Sequence, residues 1–408
     1  MQIYIRIFFL IIILTSCANS PENPEGPNPE IRDLTAEEQN ITNSTNAFVF
    51  KMMDQLSQAE NNNLFFSPLS VQYALAMSLN GADHNTYDEI KAILSLEGLN
   101  EDDINESLKT LTEYLRSVDP NVTLEIANSI WYEKKFEVKY DFTTSMSQNY
   151  DAEVSGLDFG SSQSVNTIND WVKDKTNGMI EDLINEIPQD AVMYLINAIY
   201  YKSEWKYKFD IEKTKQGPFY LENNEEVHAD LMEAKKVGVN YFSNPDVELI
   251  ELPYGNGQYV MSVLLPGDGK KVADIVDLLD ENIYQEWTEK ADSISADLIL
   301  PKFKIEYKAL LNDALIEMGM EDAFTDRADF SRLFVKQLGL RISRVLQKAA
   351  IEVNEEGTEA AAATAVEISL TSLPPETPVI KINRPFLFFI KEKSSGVILF
   401  GGKLMDPR

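Results

Sequence analysis

Between Glu355 and Glu376 the chain reads EEGTEAAAATAVEISLTSLPPE, a segment that few ordinary places in a globular fold can hold. Its first half has the Ala/Glu composition of an exposed helix, yet it runs into a Pro-Pro stop and lies between two β-like runs. Strand side chains alternate faces with period 2. One parity holds Thr358, Ala360, Ala362, Thr364, Val366, Ile368 and Leu370, all small or apolar and uncharged. The other holds Glu359, Ala361, Ala363, Ala365, Glu367, Ser369 and Thr371, and carries both glutamates. That sorting suits a strand with one face fit for burial. The segment is a surface helix, a linker, or a piece of chain built to change conformation.

The body around it mixes helices and strands without strict alternation, which predicts an α+β fold. NAFVFKMMDQLSQA places Phe48, Met52 and Leu56 at helical spacing. NLFFSPLSVQYALAMSLNGA leads through Ser67-Pro68 into a buried helix ending near Gly81. LEIANSIWYE, AVMYLINAIYYK, VELIELPY, QYVMSVLLP and ADLILPKFKIEYK read as strands, as do PFLFFIKEK and VILFGGKL near the end. VNTINDWVKDKTNGMIEDLI and YKALLNDALIEMGM read as helices. Nothing from residue 43 to 408 marks a second domain.

The N-terminus reads differently. Residues 1–16 have one basic residue, Arg6, an apolar run from Ile7 to Leu14, and small residues before Cys17, the pattern of an export signal. Leu14-Thr15-Ser16-Cys17 resembles the bacterial lipoprotein box, which implies lipidation of Cys17. An ordinary secretory signal with an incidental cysteine is the alternative. Cys17 is the only cysteine, so no internal disulfide is expected. The absence of Asp just after it points to an outer membrane, with the protein facing the periplasm or the cell surface. Residues 17–42, dense in Pro, Asn and Glu, read as a disordered tether.

The side-chain inventory disfavours most chemistry. The net charge is −30, from 66 acidic and 36 basic residues, which argues against nucleic acid or a membrane bound through a basic face. Only His84 and His228 are available for histidine chemistry, both in polar stretches, and no G-x-S-x-G turn accompanies them. Neither H-E-x-x-H nor paired cysteines offer a metal site. YGNGQYV and PGDGKK lack the pattern of a dinucleotide or phosphate loop. No enzyme activity, metal or cofactor is expected.

A family resemblance then covers nearly the whole chain after the tether. Its motifs, in order, are Asn63-Leu64-Phe65-Phe66-Ser67-Pro68 with Ser70, Ile168-Asn169-Asp170-Trp171-Val172 and Lys175-Thr176-Asn177-Gly178. Leu195-Ile196-Asn197-Ala198-Ile199-Tyr200 with Trp205 and Phe209, Glu251-Leu252-Pro253-Tyr254 and Leu300-Pro301-Lys302-Phe303 follow. Ala328-Asp329-Phe330-Ser331, Pro385-Phe386-Leu387-Phe388 and Phe400-Gly401-Gly402-Lys403 with Pro407 complete the set. The chain resembles the serpins, protease inhibitors that trap their targets by changing conformation. The resemblance implies a large central mixed sheet, two smaller sheets, eight or nine helices, and an exposed reactive-centre loop at about 355–376.

Carried onto this sequence, the resemblance assigns Glu355, Glu356, Gly357, Thr358, Glu359, Ala360, Ala361, Ala362 and Ala363 to the hinge on which the loop enters the sheet. Glu355 would pair with Lys302 beside Trp205 where the sheet first opens. Ser67, Ser70 and Asn197 match the cluster at which it parts lower down, and Gln347 stands where many members have histidine. Gln can both donate and accept, so that network can survive. Ser203 replaces a common glycine and reads as neutral. Counting from Gly357 places the cleaved bond at Thr371-Ser372, with cleavage after Leu370 as the alternative. Insertion of about fourteen residues at about 3.3 Å each would drag a bound protease roughly 45 Å.

The implied function is a suicide-substrate inhibitor of serine endopeptidases. A small β-branched Thr371 suits elastase-like enzymes, while Leu370 brings in subtilisin-like and papain-like cysteine proteases as partners. No heparin-like activator is expected, because Glu101 to Val118 shows no basic face, and a monomer is expected. The alternative is a non-inhibitory serpin that serves as a binding or carrier module.

Overall fold

A computed structural model describes residues 31–336, 340–358 and 377–408. In chain order its helices are α1 (Ala36–Ala59), α2 (Pro68–Gly81), α3 (His84–Ile93), α4 (Glu101–Ser117), α5 (Tyr140–Tyr150), α6 (Ser162–Lys175), α7 (Val272–Leu278), α8 (Glu281–Glu289) and α9 (Asn312–Glu317). Its strands are β1 (Leu64–Phe66), β2 (Thr123–Glu133), β3 (Glu153–Leu157), β4 (Met193–Glu204), β5 (Lys215–Tyr220), β6 (Glu226–Ser243), β7 (Val247–Pro253), β8 (Tyr259–Pro266), β9 (Asp292–Pro301), β10 (Phe303–Leu310), β11 (Arg344–Val353), β12 (Gly357–Thr358), β13 (Val379–Lys381), β14 (Phe386–Glu392) and β15 (Ile398–Leu404).

A six-stranded mixed sheet runs β10-β11-β12-β4-β2-β3. The remaining nine strands form one hydrogen-bonded path, β1-β15-β14-β8-β7-β6-β9-β13, with β5 on β6. The two smaller sheets implied by the resemblance are thus continuous through β6, whose 18 residues pair with β5, β7 and β9 along its length. The α+β fold class holds.

The apolar run of β4 has a physical reason. Leu195, Ile199 and Tyr201 enter the main core with α1 and α2, whereas Tyr194, Ile196 and Ala198 pack under α6 with Ile168, Val172 and Leu346. A strand covered on both faces has no polar parity to show. Leu346 belongs to β11, so α6 and its following segment lie across the join between β4 and β11.

Three sequence readings are corrected. The helix read over VNTINDWVKDKTNGMIEDLI stops at Lys175, because Asn177 and Gly178 turn the chain at positive φ, 50° and 79°. The tether does not extend to residue 42: α1 begins at Ala36, with Thr35 as N-cap in a capping box with Glu38, and Ile41 is fully buried. The helix read over YKALLNDALIEMGM is confined to Asn312–Glu317, because Tyr307–Leu310 continue the ladder of β10 with Leu346–Ala349 of β11.

The start of α1 carries a testable charge. Both Glu38 oxygens accept from Arg32 at 2.6 Å, and Thr110 and the Thr35 amide donate to the same carboxylate. Burial alone would raise the Glu38 pKa, but these donors bring it from 4.5 to about 2. A depressed carboxyl contributes stability that is present above the unfolded value and lost as pH falls through the folded one. The melting temperature is therefore expected to fall between pH 4.5 and about 2. Arg32→Ala should flatten that part of the profile, which thermal scans across the range would measure.

Candidate functional site

The loop root is a tight reversal after β11. The Asn354 amide donates to the Gly357 carbonyl at 3.0 Å, and its side-chain oxygen accepts from the amides of Glu356 and Gly357. The chain then re-enters the sheet between β11 and β4: Thr358 lies opposite Val353 on one side and Ser203 on the other, and Gly357 lies opposite Glu204. Gly357 is required by close approach, since a Cβ there would stand 2.1 Å from the Ser203 carbonyl oxygen.

Trp205, Phe209 and Tyr254 hold this reversal. Trp205 donates its indole N–H to the Asn354 carbonyl at 2.9 Å and stacks on Tyr254, ring centroids 4.2 Å apart. The amides of Trp205 and Phe209 donate to the carbonyls of Glu356 and Glu355. The Tyr254 hydroxyl meets that of Thr358 at 2.7 Å, and burial pushes the phenol well above its usual range. Thr358 is only 2% exposed, so the one member of the uncharged parity that is described faces the interior.

Glu355 is almost fully buried and accepts from the Lys302 ammonium at 3.0 Å and the Thr214 hydroxyl at 2.8 Å. Burial raises its pKa, but these donors outweigh it and hold the carboxyl below its ordinary value. Glu356 forms an ion pair of 2.7 Å with Lys208, which also bonds Glu204.

Below the root, β4 and β11 pair directly and in parallel, from Arg344 to Gln347 against Tyr194 to Asn197. The predicted cluster sits at the upper end of that pairing. The Gln347 side chain accepts from the Ser67 amide at 3.1 Å and donates to the Ser67 carbonyl at 2.7 Å and the Ser70 hydroxyl at 3.2 Å. Ser70 donates to Asn197, and Asn197 donates to Asn128. Asn128 donates to the Tyr150 carbonyl at 3.3 Å, and Ser67 to the Leu399 carbonyl at 2.7 Å. Gln347 therefore has both its donor and its acceptor capacity used. None of the bonded side chains here titrates near neutral pH.

The structure brings Glu355, Lys302 and Trp205 together, and likewise Ser67, Ser70, Asn197 and Gln347. Glu359, Ala360, Ala361, Ala362, Ala363, Leu370, Thr371, Ser372 and Cys17 lie outside the described residues. Ser203, read as neutral, is buried directly opposite Thr358. Thr214, Tyr254, Lys208, Asn354 and Asn128 acquire roles that sequence reasoning had not given them. Asn128 did carry a signal, since it interrupts the parity Leu124, Ile126, Ile130. The two histidines lie on the surface, with His84 3.0 Å from Asp329. Among the described residues no His/Cys/Asp/Glu group is placed to hold a metal, and no helix is long and apolar enough to cross a membrane.

Comparison with known proteins agrees with this geometry. The family model for serpins (serine protease inhibitors) matches residues 43–407. An uncharacterized serpin-like protein of Methanosarcina mazei is 34% identical over 378 residues, covering 90% of this chain and 87% of its own. The leukocyte elastase inhibitor of Bos taurus is 34% identical over 366 residues, covering 86% and 96%. Among solved structures, human thyroxine-binding globulin complexed with thyroxine superposes with a TM-score of 0.84 at 26% identity, covering 91% of this chain and all of that one. With Gly357 and Thr358 set between two strands of the six-stranded sheet and a family match across the folded body, this chain belongs to the serpin family.

Proposed function

We propose that the protein inhibits elastase-like and subtilisin-like serine proteases as a suicide substrate, with papain-like cysteine proteases trapped at the same bond. Attack falls at Thr371-Ser372, and insertion of the cleaved loop distorts the acylated protease before it can hydrolyse the acyl bond, an ester to serine or a thioester to cysteine. The observation that carries this reading is the placement of Gly357 and Thr358 between β4 and β11. A small residue and an uncharged buried one occupy the entry point, where a charge or a bulky side chain would block insertion. Each added backbone hydrogen bond contributes about 0.5–1.5 kcal/mol net, so the native form is trapped kinetically. We further propose that Cys17 is lipidated and that the tether displays the inhibitor from an outer membrane.

The test is to mix the chain from Arg32 onward with a pancreatic-type elastase, run a denaturing gel, and weigh the released peptide. A stable band at the summed mass with a peptide starting at Ser372 is the expected result. A peptide starting at Thr371 would move the bait to Leu370. Clean cleavage without a complex would overturn trapping.

One observation favours a second reading, a carrier module. A pocket of about 280 Å3 between α1, α8 and the β14–β15 turn is lined mostly by polar residues, whose apolar stems supply about half of its surface. The buried Lys391 reaches it, and so does Thr42, whose hydroxyl has no hydrogen-bond partner among the described residues. Thyroxine-binding globulin, of the same fold, is a ligand-binding protein by name. Cleavage without a complex in the elastase experiment would bring this reading forward.

A further inference from the structure

The end of the six-stranded sheet that holds the loop root also frames a second feature. An open cleft of about 700 Å3 lies there, bounded by the start of β2, the end of β4 and the turn at Gly255. Three lysines reach into it, Lys202, Lys206 and Lys208, alongside Thr123. Lys202 stands directly opposite Thr123 in the ladder of β4 and β2. Among the described residues, the one carboxylate in the lining of this cleft is that of Glu204.

The carboxylates nearest these lysines are already engaged. Glu204 and Glu356 both bond Lys208, at 2.8 and 2.7 Å. Asp119, below the Gly255 turn, is buried and accepts the amides of Asn121 and Asn256. Glu125, further along β2, faces Arg116 at 3.5 Å. Lys206 donates to the Asn256 carbonyl at 3.1 Å, a neutral acceptor. The Lys202 side chain makes no ion pair or hydrogen bond among the described residues. Two ammonium groups are thus left facing the cleft without a counter-charge. Lysine acts on phosphate and carboxylate as a point charge with three rotatable donors, and tolerates varied anion geometry.

We propose that this cleft binds a small polyvalent oxyanion, a phosphate or a polycarboxylate, held between Lys202 and Lys206 with Lys208 at its edge. Binding does not depend on protease inhibition and can be measured without a protease. The site stands one contact away from the loop root, because Lys208 is the lysine that pairs with Glu356.

Isothermal titration of the chain from Arg32 onward with inorganic phosphate, and separately with citrate, at ionic strength fixed with sodium chloride, tests this. Saturable binding is expected, weakened at least tenfold in Lys202→Gln/Lys206→Gln. A control of equal charge change, Lys51→Gln/Lys175→Gln, replaces two exposed lysines elsewhere and should bind as the wild type does. Thermal midpoints of both variants establish that each is folded. Binding of phosphate alone would identify a phosphate-type ligand, and binding of citrate alone a carboxylate one. Either upholds the site. No saturable binding of either anion, or an equal loss in the control variant, would overturn it.

Discussion

Gly357→Ala is expected to turn the proposed trap into a substrate. A Cβ at this position would lie 2.1 Å from the Ser203 carbonyl oxygen and 2.6 Å from the Glu204 Cα, both backbone atoms of β4 that cannot rotate aside. The Gly357–Glu204 pairing would have to break, and Thr358 would leave its place between Ser203 and Val353. In the proposed mechanism trapping is a race between loop insertion and hydrolysis of the acyl bond, and about 1.4 kcal/mol on the insertion barrier changes the partition tenfold. An overlap with main-chain atoms exceeds that, so the ratio of cleaved inhibitor to covalent complex should rise at least tenfold on a denaturing gel. Thr358→Glu should act in the same direction by a different cause, placing an unpaired charge at a 2% exposed position. Thr358→Ser, which keeps the hydroxyl that meets Tyr254, should trap nearly as well as the wild type. Undiminished complex formation by Gly357→Ala would mean that insertion does not start at this point.

How much of this could be read from the residues alone varied with the range of the interaction. The strand runs were legible because burial on one or both faces leaves a period-2 or continuous apolar pattern, as in β4 and β8. The start of α1 was legible too, in Thr35-x-x-Glu38, but the Pro-rich composition upstream outweighed it and drew the boundary seven residues late. At the loop root, the resemblance brought Glu355, Lys302 and Trp205 together across strands distant in sequence. Thr214, Lys208 and Tyr254 complete the same site; Tyr254 lay in a motif that gave it no role, and no local pattern distinguishes Thr214 or Lys208 from other polar surface residues. Their roles come from register: Trp205 bridges to Tyr254, and Thr358 falls opposite Ser203 only because β12 enters where it does. Asn128 is intermediate. A lone amide on an apolar parity announces a buried hydrogen bond, but its partner Asn197 emerges only from the β2–β4 ladder, in which the two residues are directly paired.

Lys391→Met should be among the most destabilising single changes in the body, and its pH dependence should identify the cause. Lys391 bonds Glu251 at 2.7 Å, and both side chains are nearly inaccessible to solvent. Burial lowers the ammonium and raises the carboxyl, but the pair outweighs it on both sides: Lys391 is held above its usual value and Glu251 below. Asn240 at 2.9 Å and Ser262 at 3.3 Å also donate to Glu251, and Tyr284 places its ring 5.2 Å from the ammonium. Removing one partner of a buried pair costs about 3–5 kcal/mol, most of it the penalty of the charge left behind. Methionine retains much of the apolar stem, so lost packing contributes little of this. Stranded without its cation, the Glu251 carboxyl should rise above its ordinary pKa, and protonation would then relieve the penalty. The deficit of Lys391→Met relative to wild type should therefore shrink as pH falls from neutrality, opposite in sign to the acid loss expected at Glu38. Glu251→Gln/Lys391→Met removes both charges and should recover much of the loss, because replacing a whole buried pair is often close to neutral. Urea midpoints of the single and double variants at two pH values would measure this. A deficit that is independent of pH and undiminished in the double variant would mean that Lys391 acts through packing alone, with its charge contributing nothing.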